Sequence, residues 1–178
     1  MTTIRPRTDA DIPSAVAALT TLYKTENYPL GANRNLQDFL TNPKNETSWV
    51  ALSPTNEIIG HVATSTKAHD DCLDVWRSLH PDDSGELAVL NRLFVLPEGR
   101  RGGLAAELVE VAVRWNAERG IRLLLAVMVN SAAAIRLYER LGWMRYGVSH
   151  PVLPDGEVAE AICFAGPAPD GTEHRMLP

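Results

Sequence analysis

Val95 to Val109 reads V-L-P-E-G-R-R-G-G-L-A-A-E-L-V. The first residues end an apolar run, Pro97 stops it, glycines follow, and an apolar stripe at helical spacing takes over. Strand, turn, glycine loop and helix in that order make a seat for an anion. The first backbone N–H groups of a helix have no partner inside it, and the aligned peptide dipoles favour negative charge there. Glycine lets the backbone approach such a ligand without a Cβ in the way. The chain contains no G-x-x-x-x-G-K-[ST], so it has no P-loop, and no G-x-G-x-x-G joins strand to helix as in dinucleotide-binding folds.

Outward from this stretch, Glu86 to Val95 reads as the longest strand. Gly103 to Arg119 reads as an amphipathic helix, with Leu104, Leu108, Val111, Ala112 and Trp115 on one face. Glu107, Glu110, Arg114 and Glu118 lie on the other, and Gly120 ends the helix. Arg122 to Val129 is a continuous apolar run, the pattern of a strand buried on both faces. Asn130 to Trp143, N-S-A-A-A-I-R-L-Y-E-R-L-G-W, opens a second helix that Gly142 stops. Tyr146 to His150 and Ala159 to Ala165 read as two last strands around a Pro154-Asp155-Gly156 turn.

Toward the N-terminus, Thr3 to Arg7 reads as a short strand. The helix after it is capped by Asp9 or Asp11, with Pro13 in its first turn and a stripe of Ile12, Val16, Leu19, Leu22 and Tyr23. A turn-rich loop and a short helix at Leu36 to Leu40 follow. Ser48 to Leu52 and Ile58 to Ser65 pair around Pro54-Thr55-Asn56-Glu57. Lys67 to Ser84 breaks the strand pattern and reads as a loop with one turn of helix around Leu73 to Leu79. The resulting order is β-α-α-β-β-β-α-β-α-β-β. It predicts one α/β domain over 1–166, a mixed, mostly antiparallel sheet with helices on both faces, and a flexible tail over 167–178.

Composition narrows the function classes. At 178 residues, 45% hydrophobic and 22% charged, the chain suits one domain with a full core. A net charge of −5 without a basic stripe argues against nucleic-acid binding. No apolar run reaches membrane-spanning length, and the N-terminus has no apolar signal core. Cys72 and Cys163 are too few for a disulfide framework or a metal cluster, and they suit buried thiols in a reducing cytoplasm. No metal is expected.

The first stretch resembles the motif V-x-P-x-x-R-x-x-G-x-G/A of the GCN5-related N-acetyltransferases, the GNAT family. Val95, Pro97, Arg100, Gly103 and Ala105 fill its positions. Asn130, Ala133, Leu137, Tyr138, Glu139, Gly142 and Trp143 match a second motif of the same family. The resemblance covers roughly Leu93 to Trp143, and the element order is that of the family. It implies a GNAT fold and acetyl-CoA as acyl donor. The amides of Arg101, Gly102, Gly103, Leu104, Ala105 and Ala106 would hold the pyrophosphate, with Arg100 and Arg101 beside it. Main-chain groups of Leu93, Phe94 and Val95 would line the pantetheine and polarise the acetyl carbonyl. Asn130 and Ala133 would contact the coenzyme arm. Tyr138 would be the general acid that protonates the leaving thiolate. From the residues alone, Tyr138 also reads as a core tyrosine, Asn130 as a helix N-cap, and Arg100 as a solvated loop arginine.

Acetyl transfer also needs a neutral amine. Some protein N-terminal acetyltransferases carry a glutamate five residues before Asn130, where this chain has Leu125. The candidate base is Glu86, also readable as a surface carboxylate. Asn91 is not a base but can orient a water or substrate, and His61 reads as a packed histidine. The acceptor-side candidates are Tyr28 and Asn91. The aspartates Asp70, Asp71, Asp74, Asp82 and Asp83 suggest either a site for a cationic amine or a solvated acidic loop. The expected activity is direct acetyl transfer, in a ternary complex, to the primary amine of a small molecule. The alternatives are a protein or peptide acetyltransferase and a non-catalytic acyl-CoA-binding domain. Homodimers are common in the family, and a homodimer stays open here.

Overall fold

The computed structural model describes residues 2–29, 35–41, 44, 47–67, 70–100, 102–153 and 155–171. The strands are β1 (Thr3–Pro6), β2 (Thr47–Leu52), β3 (Ile58–Ser65), β4 (Glu86–Val95), β5 (Ile121–Met128), β6 (Met144–Ser149) and β7 (Ala161–Ala165). They form one sheet in the order β1-β2-β3-β4-β5-β7-β6. β4 and β5 are parallel, while β1–β2, β2–β3, β5–β7 and β6–β7 are antiparallel. The helices are α1 (Ile12–Glu26), α2 (Leu36–Thr41), α3 (Asp71–Leu79), α4 (Leu104–Ala117) and α5 (Ala132–Arg140). This is the mixed α/β architecture expected from the sequence. No helix among the described residues is long and apolar enough to cross a membrane.

The chain divides into two compact units, Met1–Ser65 with Asn91–Ala112 and Thr66–Leu90 with Val113–Pro178. In the first, Arg5 holds Asp11 through two bonds of 2.7 Å, and Asp11 also accepts from the Thr8 amide and hydroxyl. The Arg5 guanidinium keeps the Asp11 carboxyl well below its usual range. α1 starts there with Pro13 in its first turn and ends at Asn27, which sits in the left-handed region at φ 54°. Its buried face is Ala15, Ala18, Leu19 and Leu22. Ile12 and Val16, expected on that face, are only half-buried. The start of α4 packs Leu104, Leu108, Val109 and Ala112 inward. Gly60 lies under this helix, where a Cβ would come 3.0 Å from Leu108.

The second unit departs from the sequence reading. Asp71–Leu79 is a nine-residue helix, not a loop with one turn. Asp70 caps it, accepting from the Cys72 amide at 3.1 Å. Cys72 and Trp76 are fully buried in a cluster with Leu87, Val89, Leu124, Tyr146, Cys163 and Ala165. Trp76 Nε1 donates to Asp83 at 2.8 Å, and Asp83 also takes the Gly85 amide at 2.9 Å. The Arg122 guanidinium lies 4.7 Å from the Trp76 ring centroid and donates to the Gly166 carbonyl. Burial lowers the Arg122 pKa and raises those of Cys72, Cys163 and Tyr146.

Candidate active site

The donor-side residues of the first unit follow from their local conformations. Leu96 donates to the Ile59 carbonyl at 2.8 Å, which keeps the end of β4 on β3. Pro97–Gly99 makes one 3-10 turn and the chain extends again at Arg100. Gly103 has φ +84°, a conformation that costs a residue with a side chain. Its exposed neighbourhood holds no atom within 4 Å of where a Cβ would stand, and the same is true at Gly102. α4 begins at Leu104, and the first amide of this turn to find a helical acceptor is Glu107, on the Gly103 carbonyl. The amides of Leu104, Ala105 and Ala106 therefore point out of the helix end unpaired by it. Arg101, expected in the same cradle, lies outside the described residues.

Arg100 is held by the protein itself. Its Nε donates to the Val95 carbonyl at 3.0 Å, and its guanidinium pairs with both Glu26 oxygens at 2.8 Å. It therefore ties the loop to the end of α1, and the Val95 carbonyl is already occupied. A cavity of about 320 Å³ lies beside this loop, lined by Ser53, Ile59, Glu98, Arg100 and Glu107 among others.

The acceptor-side candidate Tyr28 sits edge-on to Phe39, with ring centroids 6.3 Å apart, and tilted against Phe94 at 6.4 Å. Phe94 stacks on His61 at 5.4 Å. His61 is fully buried, and its ring nitrogens define its tautomer. Nδ1 lies 2.9 Å from the Arg92 carbonyl, which can only accept, so Nδ1 carries the proton. Nε2 faces Arg7 Nη1 at 3.4 Å as an acceptor. Burial first, then the Arg7 and Arg92 charges, bring the His61 pKa down to about 4, against the Arg92 carbonyl's opposite pull. A histidine so closed off is a strut, as its packed reading anticipated.

What that strut holds is a break in β4 that the sequence does not announce. Arg92 has φ +53° without being glycine. Its Nε donates to the Phe39 carbonyl, and its guanidinium lies 4.9 Å from the Phe39 ring centroid. Arg7 donates to the Leu40 carbonyl at 2.7 Å. Next to Arg92, the Asn91 Oδ1 is shut off from solvent and has no hydrogen-bond partner among the described residues. Leu93 is half-buried, and Phe94 and Val95 are buried. Glu86 is exposed at the far end of β4, seven residues before Leu93.

In the second unit, Tyr138 is 4% exposed, with its ring 5.2 Å from Trp143 and 5.9 Å from Phe164. Asn130 is exposed in the turn after β5 and is not the N-cap of α5; that position is Ser131, whose side chain makes no capping bond. Ala133 lies in the first turn. Leu125, where a glutamate was absent from the sequence, is 2% exposed and faces Phe164 in register across β7. Of the five aspartates, Asp70 and Asp83 serve α3 and Trp76, whereas Asp71, Asp74 and Asp82 are exposed. Among the described residues no group of three or more His, Cys, Asp and Glu could hold a metal.

Comparison with known proteins bears on the fold and the family. No curated protein sequence matches the chain. Arabidopsis thaliana NAA60, solved with a bisubstrate analogue, is 22% identical with a TM-score of 0.69, over 93% of this chain and 97% of that one. The ribosomal-protein-S18-alanine N-acetyltransferase of Escherichia coli is 23% identical with a TM-score of 0.65, over 100% of this chain and 99% of that one. A GNAT-family acetyltransferase from Streptococcus pneumoniae is 19% identical with a TM-score of 0.66, over 93% and 98%. At these identities the likeness speaks to the fold. The profile of the Acetyltransferase (GNAT) family matches residues 14–143, well over half of the sequence and including both motifs, and the chain belongs to that family.

Proposed function

We propose that the protein moves an acetyl group from acetyl-CoA to the primary amine of a small molecule, directly, within a ternary complex. The observation that carries this reading is the open turn Gly102–Ala106, whose amides await an anion at the end of β4. Family membership supports acetyl-CoA as the group whose pyrophosphate fills it. In this reading the amine nitrogen attacks the acetyl carbon, the C–N bond forms and the C–S bond breaks. The Tyr138 hydroxyl gives its proton to the departing thiolate, and the amine proton leaves through water. Glu86, exposed at the start of β4, is the candidate to receive that proton. Asn130 and Ala133 contact the coenzyme arm. The buried, apolar Leu125 favours a small-molecule acceptor over a protein N-terminus.

Release of free CoA with a panel of amines tests the activity, and thermal unfolding with acetyl-CoA tests the donor site. Ligand at a hundred times its Kd adds about 2.7 kcal/mol to the folded state. No thermal shift at millimolar acetyl-CoA sinks the donor assignment. A shift without CoA release from any amine leaves a non-catalytic acyl-CoA-binding domain instead. Tyr138→Phe keeps the packing and removes the proton, so kcat falls about 100-fold or more if the hydroxyl is the acid. An unchanged kcat returns Tyr138 to the core.

A further inference from the structure

Asn91 lies one residue before the break at Arg92, on the strand that carries Leu93–Val95. That backbone is held from three sides: His61 grips the Arg92 carbonyl, Arg92 grips α2 at Phe39, and Arg7 grips α2 at Leu40 while facing His61. Asn91 is therefore fixed on rigid structure and not on a loop. Yet its Oδ1 is inaccessible to solvent and takes no hydrogen bond. Buried amide oxygens are seldom left this way, because the lost hydration is not regained. A ligand that supplies the donor would satisfy it once substrate entry opens the packing that closes it in the free chain.

The geometry points to Asn91 Oδ1 as the acceptor of an N–H from the substrate amine, which makes Asn91 a specificity-determining residue; this rests on the acetyltransferase reading above. Asn91 is two residues from Leu93, roughly 7 Å along the strand, within reach of a nucleophile at an acetyl group held there. An amide oxygen cannot take the proton away. It binds one N–H and so turns the nitrogen lone pair toward the acetyl carbon. A neutral primary amine has two N–H bonds. One stays on Asn91 while the other is lost to water after C–N bond formation. An alcohol has only the O–H that the reaction must break, so it cannot keep that contact through the transfer. A site built around such a contact rejects acceptors that lack the spare donor.

The test compares Asn91→Leu, Asn91→Asp and the wild-type chain. Asn91→Leu removes an unsatisfied polar atom, so Tm without ligand rises and the thermal shift with acetyl-CoA stays as in wild type. The kcat/KM for the amine falls about 10- to 100-fold, the loss of one well-made hydrogen bond to the reacting group. A purely structural asparagine gives the reverse: lower Tm and unchanged kcat/KM. Asn91→Asp keeps an accepting oxygen, so above pH 7 it retains more kcat/KM than Asn91→Leu, and its pH profile moves toward acid. Equal losses in the two variants overturn the assignment. A wild-type chain that releases no CoA with any amine overturns the acetyltransferase reading, and this one with it. An active wild type beside an equally active Asn91→Leu overturns only this one.

Discussion

Helix α3 and the turn Gly102–Ala106 treat their polar groups in opposite ways. Around α3 everything is closed: Asp70 takes the Cys72 amide, Asp83 takes the Trp76 indole, and Tyr146 donates to the Cys72 carbonyl at 2.6 Å. At Gly102–Ala106 nothing stands over the glycines, and three helix amides are left without helical partners. The first arrangement makes the folded state stable. The second, on the proposed reading, is completed by the pyrophosphate of acetyl-CoA. Mutations should therefore separate cleanly, those around α3 changing stability and those at the turn changing affinity.

The largest effect belongs to the closed region. Trp76→Ala removes a fully buried indole and one of the donors to Asp83, and truncations of this kind cost about 3–5 kcal/mol. Denaturant unfolding should show that loss. The difference between Tm with and without acetyl-CoA should survive wherever the variant folds. If Trp76→Ala instead weakens acetyl-CoA binding at unchanged stability, the division of labour is wrong.

Next is His61, which is closed like α3 but holds the Arg92 carbonyl, one residue from the unsatisfied Asn91. Its folded pKa of about 4 lies below the 6.5 of the unfolded chain. Between those values the unfolded chain binds a proton that the folded one does not, so stability rises with pH from 4 to 6.5. The gap corresponds to about 3 kcal/mol, lost as pH falls through that window. Chemical denaturation at pH 4.5 and 7 measures it. His61→Leu should flatten this part of the profile, and an equally steep variant would assign the slope to other groups.

The same contrast explains what the sequence could and could not disclose. The turn at Gly102–Ala106 was legible because its requirements are local: a strand end, glycines, then a stripe of period 3.6. Even there the stripe was read a little off, since Val109 and Asn116 are buried while Val111 and Trp115 are half-exposed. Helix α3 was not legible as a helix. Cys72, Trp76 and Leu79 recur at helical spacing, but the aspartates before, between and after them read as a loop. They turn out to be its cap, its exposed face and the indole's partner. The break at Arg92 could not be read at all. A positive φ is usually announced by glycine, and here it is enforced by His61 and Phe39 from distant parts of the chain. For the same reason Asn91 was named as an acceptor-side residue without the sign that sets it apart, an oxygen with no partner.

Gly103→Ala should have a smaller effect, confined to the open region. The left-handed conformation at φ +84° costs an alanine about 1–2 kcal/mol. Its methyl meets no atom of the protein, so the loop must either carry that strain or relax and disperse its amides. Affinity for acetyl-CoA then falls about tenfold. Gly102→Ala, where an added Cβ likewise meets no described atom within 4 Å, should leave stability of the free protein unchanged. Titration calorimetry of both variants sharpens the comparison, and equal losses of stability at the two positions would mean that φ at Gly103 does not shape the turn.

The smallest effect is expected at the link between α1 and the loop. Arg100 and Glu26 form a paired contact of 2.8 Å, but both side chains are over a third exposed, and pairs of that kind contribute up to about 1 kcal/mol. Glu26→Gln keeps one hydrogen bond and removes the charge, so stability should change by no more than about 0.5 kcal/mol at moderate salt. The freed guanidinium still donates to the Val95 carbonyl and lines the same cavity as Gly102 and Leu104. It then adds an uncompensated positive charge beside the proposed pyrophosphate site. Acetyl-CoA should bind Glu26→Gln as tightly as wild type or tighter, with a steeper dependence on salt. Weaker binding in this variant would show that Glu26 holds the loop in its binding geometry, and the turn would no longer be self-sufficient.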